Sequence, residues 1–411
     1  MTSLGGLLRQ NRNYRNTWMA QVVSEVGDYF NNIAVFALVM EKSGSGMVVS
    51  GVMLARAIPA VLAGPVAGVL LDRLDRRQIM IASDLIRALI ALAFLFTIDQ
   101  PRPWLLYLLS GALMFASPFF SAGRAAILPT ITTQDELNAA NSLTQTTQWA
   151  TLTAGTLLAG YTTAIVGYRG AFLLNSLSFI FSAWAIWQIS VPEGFRAKRN
   201  RGPEGTRAWS EYRAGLSYMA GVPLMVGISM ISVGWSIGGG AAQILFVLFG
   251  EQVFHRGPSG IGSLWGFAGI GLLAGGAIGH YAGTRVTFAG YKRTITVSYL
   301  LHGAAYMFFS QAESYALALV MMMFSRVGMA VTTVLNNAQL LRHTPNEFRG
   351  RVFSTMESIR WSVMIVSMAA AGIASQYVGP RTIGLIAGAF GSITALLWAW
   401  MDWSGRLPEP K

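Results

Sequence analysis

Glu25, Asp28 and Asn32 fall within one stripe of about 60° if the residues around them form a helix. The surrounding stretch, Thr17 to Met40, is otherwise largely apolar. Two carboxyls inside such a run are costly unless they face protein or water, so a role beyond packing is the default expectation. Placed close together, they can pass a proton or hold a cation. Asp28 is therefore the candidate proton-coupling or cation-binding acid, with Glu25 as its partner. The plainer alternative makes Glu25 the structural partner of an arginine such as Arg56, or leaves both acids at the rim of an aqueous cavity.

Other polar residues punctuate apolar runs in the same way. Arg326, Thr333 and Asn337 share one narrow helical face. Glu357 and Arg360 are three apart and able to pair along a helix. Arg326 or Arg360 could answer Asp28 or Glu357 across a cavity, and the sequence does not choose between them. Asn138, Asn141, Gln145 and Gln148 lie along one side of a further run, where they either line a cavity or join helices. Trp235 and Trp265 lie deep in their runs and could stack against a bulky substrate. The expected cavity lining is thus Asn32, Arg56, Gln145, Gln148, Trp235, Arg326, Asn337, Glu357 and Arg360. His255, His280, His302 and His343 show no ligand spacing, though His280 is a candidate protonatable group. Met321 to Met323 reads as packing material. No cysteine is present, which excludes disulfides, thiolate metal sites and cysteine nucleophiles. No nucleophile elbow, metal motif or phosphate loop stands out, so neither an enzyme nor a bound cofactor is expected.

Hydrophobic residues make up 53% of the 411 and charged residues 12%, about half the charged share of a soluble globular chain. About twelve apolar runs approach the ~20 residues that cross a bilayer as a helix. Their approximate limits are Thr17–Met40, Met47–Leu71, Gln78–Ile98, Trp104–Leu128, Asn138–Val166 and Ala171–Val191, then Pro223–Phe249, Ser259–Gly283, Thr294–Ser310, Tyr315–Leu341, Val352–Tyr377 and Thr382–Trp403. The N-terminus lacks a cleavage site, so the first run is expected to be retained as a span. The net charge of +12 sits in short loops between runs, which reads as an orientation signal and not as nucleic-acid binding. One alternate set of loops holds most of the Lys and Arg; the other holds only Lys42, Arg102, Arg169, Arg256 and Arg381. That asymmetry predicts an even number of spans with both termini in the cytoplasm.

The stretch Pro192–Arg213 has turn formers and charge without an apolar period and reads as a linker. It predicts three parts: an N-terminal six-helix bundle over 1–191, a cytoplasmic linker over 192–213 and a C-terminal six-helix bundle over 214–411. Trp209–Gly221 is mildly amphipathic and suited to the membrane surface. Thr133-Gln-Asp-Glu and Thr344-Pro-Asn-Glu open the fifth run of each half, an echo that suggests an internal repeat. Gly238-Gly-Gly240 permits either a bend or a tight helix crossing.

Between the second and third runs lies Gly68-Val-Leu-Leu-Asp72-Arg73-Leu-Asp75-Arg76-Arg77. Gly68 would let helices approach closely, and Asp72 could face the positive end of another helix. The spacing resembles the signature loop of the major facilitator superfamily. Ser24 to Asp28, Ala55 to Pro59 and Gly350 to Ser354 are similar to a branch containing macrolide-efflux-type and enterobactin-exporter-type proteins. Asp75 departs from the pattern, which usually has Gly there.

The resemblance implies an all-α integral membrane protein with twelve transmembrane helices in two pseudo-symmetric six-helix bundles, the major facilitator fold. It implies a cytoplasmic gate of Gly68, Asp72, Arg73, Arg76, Arg77, Asp84 and Arg87; for the arginines, topology and lipid headgroups are the competing explanation. The expected function is secondary active, proton-coupled export of an amphipathic or bulky organic molecule by alternating access, from a bacterial inner membrane. The expected partners are a small-molecule substrate, protons and membrane lipids, with no nucleic acid and a monomeric chain. The alternatives are a lipid or lysolipid translocator, or a divalent metal-ion exporter, of the same fold. A non-transporting scaffold would need no polar cavity.

Overall fold

The computed structural model describes residues 4–99, 103–190 and 205–410. The described residues are helical throughout, with no strands among them. In chain order the helices are α1 (Leu4–Gln10), α2 (Arg12–Ser43), α3 (Gly46–Arg73), α4 (Arg76–Ala93), α5 (Pro103–Ile131), α6 (Gln134–Trp187), α7 (Gly205–Ala220), α8 (Pro223–Leu248), α9 (Gly257–Gly283), α10 (Phe288–Gln311), α11 (Tyr315–His343), α12 (Asn346–Ala374) and α13 (Pro380–Trp403).

Among the described residues, nine helices are long and apolar enough to cross a membrane. Two features reconcile that number with twelve runs. Helix α6 spans 54 residues but holds Gly167 at φ 70, ψ 179, a break inside it. Only glycine adopts such a backbone freely, so α6 contains the fifth and sixth expected spans. Helices α10 and α12 coincide with the ninth and eleventh expected spans but carry more polar residues. Prolines 59 and 65 in α3, and 118 and 129 in α5, sit inside helices; membrane helices tolerate this because neighbouring groups satisfy the freed carbonyls.

Loop chemistry sets where the helices begin. Asp75 caps α4, accepting from the Arg77 and Gln78 amides at 2.8 and 3.2 Å. Thr133 and Glu136 form a reciprocal capping box on α6. The echo at Thr344 makes no such box: α12 starts after Pro345 without a side-chain cap. There Arg349 reaches back to the Thr344 and Leu341 carbonyls, at 3.1 and 2.9 Å.

The chain divides into two compact units, one of Met1–Arg201 with Gly250–Gly266, the other of Gly202–Phe249 with Phe267–Lys411. In the first, α2 packs on α6, α3 on α5, and α4 on both α5 and α6. Its core includes Leu7, Tyr14, Met80, Phe120, Ile127 and Ile186. In the second, α10 packs on α11 and α13, and α8 on α12 and α13. The pairings of α4 with α5 and α6 are matched by those of α10 with α11 and α13, as an internal repeat requires. The second core gathers around Trp398, Tyr291, Tyr299, Ile231 and Leu335. Large apolar side chains such as Ile165, Phe96, Tyr377 and Trp403 stand exposed, as they do where the solvent is hydrocarbon. Residues 192–204 of the expected linker and the Trp209 side chain lie outside the described residues.

Candidate functional site

The polar stripe of α2 folds against arginines from its neighbours within the first unit. Asp28 Oδ2 lies 3.7 Å from Arg87 Nη1 of α4. Arg87 also forms an ion pair with Asp84, one helical turn before it. Asp84 and Arg87 are fully buried, at 0% and 2% exposure, whereas the Asp28 side chain keeps 21%. The guanidinium is held between two rings, 5.0 Å from Phe120 and 4.3 Å from Phe179. Even so, the hydrogen bonding is incomplete. Asp28 Oδ1, Asp84 Oδ2 and Arg87 Nε are buried without a partner. Within this trio one cation is shared by two carboxylates, and Arg56 of α3, within electrostatic reach of Asp28, offsets part of that excess.

Glu25 lies one turn along α2 and is held by neutral donors. Gln21 donates to one carboxylate oxygen at 2.8 Å and Thr151 of α6 to the other at 2.7 Å. Arg56 does not pair with Glu25. Its guanidinium donates to Asn31 at 3.3 Å and to Asn32, so Asn32 is a fixed partner of Arg56. Arg87, Arg56, Glu25 and Asp84 all lie close enough to act electrostatically on Asp28. Sequence reasoning passed over Arg124 of α5, which is buried with one Nη unpartnered and is acted on by Glu25. The signal was available, since a cation in mid-span is a functional candidate by default. Thr151 and Gln21 carried no such signal: neutral side chains of their kind are common in membrane helices.

The residues grouped as a cytoplasmic gate separate into two places. Asp72 and Arg73 are exposed at the end of α3, and the ion pairs found among the described residues do not include them. Arg76 donates to the Ala126 carbonyl at 2.7 Å, and Arg77 to the Ile186 and Trp187 carbonyls. These bonds satisfy carbonyls near the ends of α5 and α6. Asp84 and Arg87 lie two to three turns further along α4, and Arg87 turns to Asp28, not to Asp72. The close approach expected at Gly68 is not made in this structure: a Cβ added there would meet nothing within 4 Å.

In the second unit, Glu357 pairs with Arg360 and accepts from the Trp361 indole at 2.8 Å. Arg360 also lies over the Trp235 ring at 5.4 Å. Arg326 is buried at 7% exposure, while Asn337 is exposed. It is the adjacent Asn336 that is buried, accepting from Tyr291 at 2.8 Å. On α6, Gln145 is exposed and Gln148 half-buried, a polar face poorly suited to lipid.

A separate cavity of about 900 Å³ lies within the first unit among α3, α4 and α5. Its walls are apolar, with Ile58, Ile86, Leu108, Phe115 and Phe119 among them. None of the charged residues named above lines it. Among the described residues no group of three or more acidic or histidine side chains could hold a metal ion.

The family model described as Major Facilitator Superfamily matches residues 17–367. An uncharacterized MFS-type transporter of Bacillus subtilis, YfiS, is 26% identical over 93% of this chain and 91% of its own. Macrolide efflux protein A of Streptococcus pyogenes is 22% identical over 90% of this chain and 91% of its own. The crystal structure of a bacterial homologue of the iron transporter ferroportin superposes with a TM-score of 0.73 at 17% identity, covering 94% of this chain and 98% of that one. The nucleoside transporter NupG superposes with a TM-score of 0.70 at 12% identity, covering 96% and 99%. At such identities these two structures speak to the fold alone.

Proposed function

The chain belongs to the major facilitator superfamily of multi-pass membrane transporters, and from that premise we propose that it is a proton-coupled exporter of an amphipathic or bulky organic molecule. Asp28 is the coupling acid. The observation that carries this reading is the buried group of Asp28, Arg87 and Asp84, with two carboxylates, one guanidinium and unpartnered oxygens on both acids. With Asp28 ionised, Arg87 is shared between two anions. A proton on Asp28 removes one of them and frees the guanidinium to commit to Asp84. Such a change can drive transport only as far as proton affinity differs between the inward- and outward-facing states.

Two six-helix bundles joined by a cytoplasmic linker over 192–213 would rock about the substrate. The bacterial inner membrane, both termini cytoplasmic, suits the distribution of Lys and Arg. Export as the direction is supported by the similarity to a macrolide efflux protein. Antiport with protons, a broad substrate range, contact with lipids and a monomeric chain complete the proposal.

The test is flux in proteoliposomes against a panel of labelled organic compounds, with and without an imposed pH gradient. Asp28→Asn should leave the protein folded and abolish gradient-driven transport. Normal pumping by D28N with an unchanged pH profile would remove Asp28 from the coupling role. Flux that ignores the gradient in the unaltered chain would remove proton coupling altogether.

A further inference from the structure

Arg326 lies on α11, buried at 7% exposure, and among the described residues no carboxylate pairs with it. Among the described residues the ion pairs of this unit are Glu357 with Arg360 and Asp402 with Lys292. Arg326 has no part in either. Its guanidinium lies over Phe246 at 5.6 Å and Tyr306 at 6.0 Å. An uncompensated buried cation is expensive, so such groups mark ligand or ion paths in membrane proteins.

The hydrogen bonding around it is also unfinished. One Nη of Arg326 is directed at the Met329 sulfur at 3.6 Å, and the Trp235 indole donates to the same sulfur at 2.8 Å. A thioether is among the weakest acceptors a protein has. Two good donors therefore converge on a poor acceptor. Beside them the Tyr306 hydroxyl is buried with no partner. The neighbouring polar groups are already engaged. Tyr299 donates to the Ile231 carbonyl at 3.0 Å, and His302 is bonded to Ser325 at 2.8 Å. What remains is a guanidinium on α11, an indole N–H on α8 and a phenolic O–H on α10.

We propose that Trp235, Tyr306 and Arg326 form a subsite for a single carboxylate carried by the transported molecule. Arg360, over the same Trp235 ring, is already paired with Glu357, so the one positive charge of Arg326 matches one negative charge, and the planar guanidinium fork suits a planar carboxylate. Phe246, Tyr306 and Met329 surround it with rings and a polarizable thioether, which suit an aromatic or apolar body next to the acid. The inference rests on reading the chain as a transporter of bulky organic molecules, and it names their class: an amphipathic monocarboxylate.

The experiment uses the purified full chain in detergent, titrated calorimetrically with 1-naphthylacetate and with its neutral isostere 1-naphthylacetamide. The acid should bind at least about tenfold more tightly than the amide, the difference one charge-assisted contact confers. Arg326→Gln should erase that preference while moving amide affinity less than about twofold, within the scatter of neutral contacts. Tyr306→Phe removes a hydroxyl that has no partner in the structure, so it should preserve folding and weaken the acid more than the amide. Trp235→Phe should do the same. Equal binding of the two probes, binding of neither, or a preference kept by R326Q overturns the subsite; if R326Q does not fold, an unaltered preference in both Y306F and W235F overturns it. Flux separates this result from the broader reading. An acid preference without transport of any compound keeps the subsite and removes the exporter, while transport without the preference does the reverse.

Discussion

Arg87 is one cation placed between two acids and two aromatic rings, and its removal would strand both acids. Arg87→Gln should destabilise the protein by about 3–5 kcal/mol, the usual consequence of leaving a buried charge unpaired. Adding Asp84→Asn to R87Q should recover part of that loss, because the second change removes one of the stranded charges. Thermal unfolding of the three proteins in detergent checks both statements; equal midpoints for R87Q and the unaltered chain would mean that the ion pair contributes nothing. At this scale the acids of α2 were legible in the sequence, because a carboxyl in an apolar run is conspicuous. The Asp84–Arg87 pairing has the same three-residue spacing as Glu357 and Arg360, but the family resemblance placed both residues in the gate instead. That Arg87 continues on to Asp28 was not legible, because the two lie on different helices and no local pattern records which neighbour a helix face will meet.

Helix contacts turn on a few small residues, and the two glycine motifs singled out in the sequence behave oppositely. A Cβ added at Gly240 of α8 would stand 2.5 Å from the Met364 carbonyl of α12. The Gly238–Gly240 run therefore serves a tight crossing there. Gly240→Ala should destabilise by about 1–3 kcal/mol through overpacking. Gly68→Ala should lie within about 0.5 kcal/mol of the unaltered chain, since nothing is close to it. Unfolding in a graded denaturing detergent compares the two, and a G68A loss equal to that of G240A would contradict the assignment. Caps tell a similar story. The Thr133 and Glu136 box could be read from its three-residue spacing, and Thr133→Ala should cost about 1 kcal/mol. Its echo at Thr344 has the same Thr and Glu but a proline at 345 and no box, so the same spacing did not guarantee the same bond. Asp75, which departs from the family pattern, supplies a helix cap that the pattern itself would not suggest.

Across the molecule, the absence of cysteine allows topology to be mapped without first removing native thiols. Single cysteines placed at the exposed Arg73 and Arg342 should react with an impermeant maleimide only from the cytoplasmic side of oriented vesicles. Cysteines at Lys42 and Glu313 should react only from the other side. Labelling of Arg73 and Lys42 positions from the same face would break the alternation on which the twelve spans rest. Nine helices among the described residues are long and apolar enough to cross a membrane; α10 and α12, which the sequence also offers as apolar runs, are not among those nine and carry polar residues along their length. In α6 the two runs follow one another with the non-helical Gly167 between them.

Sequence alone determined the membrane as solvent, the succession of helices, the charge asymmetry of the loops and the acids that had to be sheltered. Each of these follows from composition or from a period along one segment, where hydrocarbon imposes a simple rule on every residue. Tertiary structure alone decided the partners: Arg87 for Asp28, Thr151 for Glu25, the two asparagines for Arg56, and a mere thioether for Arg326. Partner choice depends on which helix faces are pressed together across long separations in the chain, and that information is not stored in any one stretch of it.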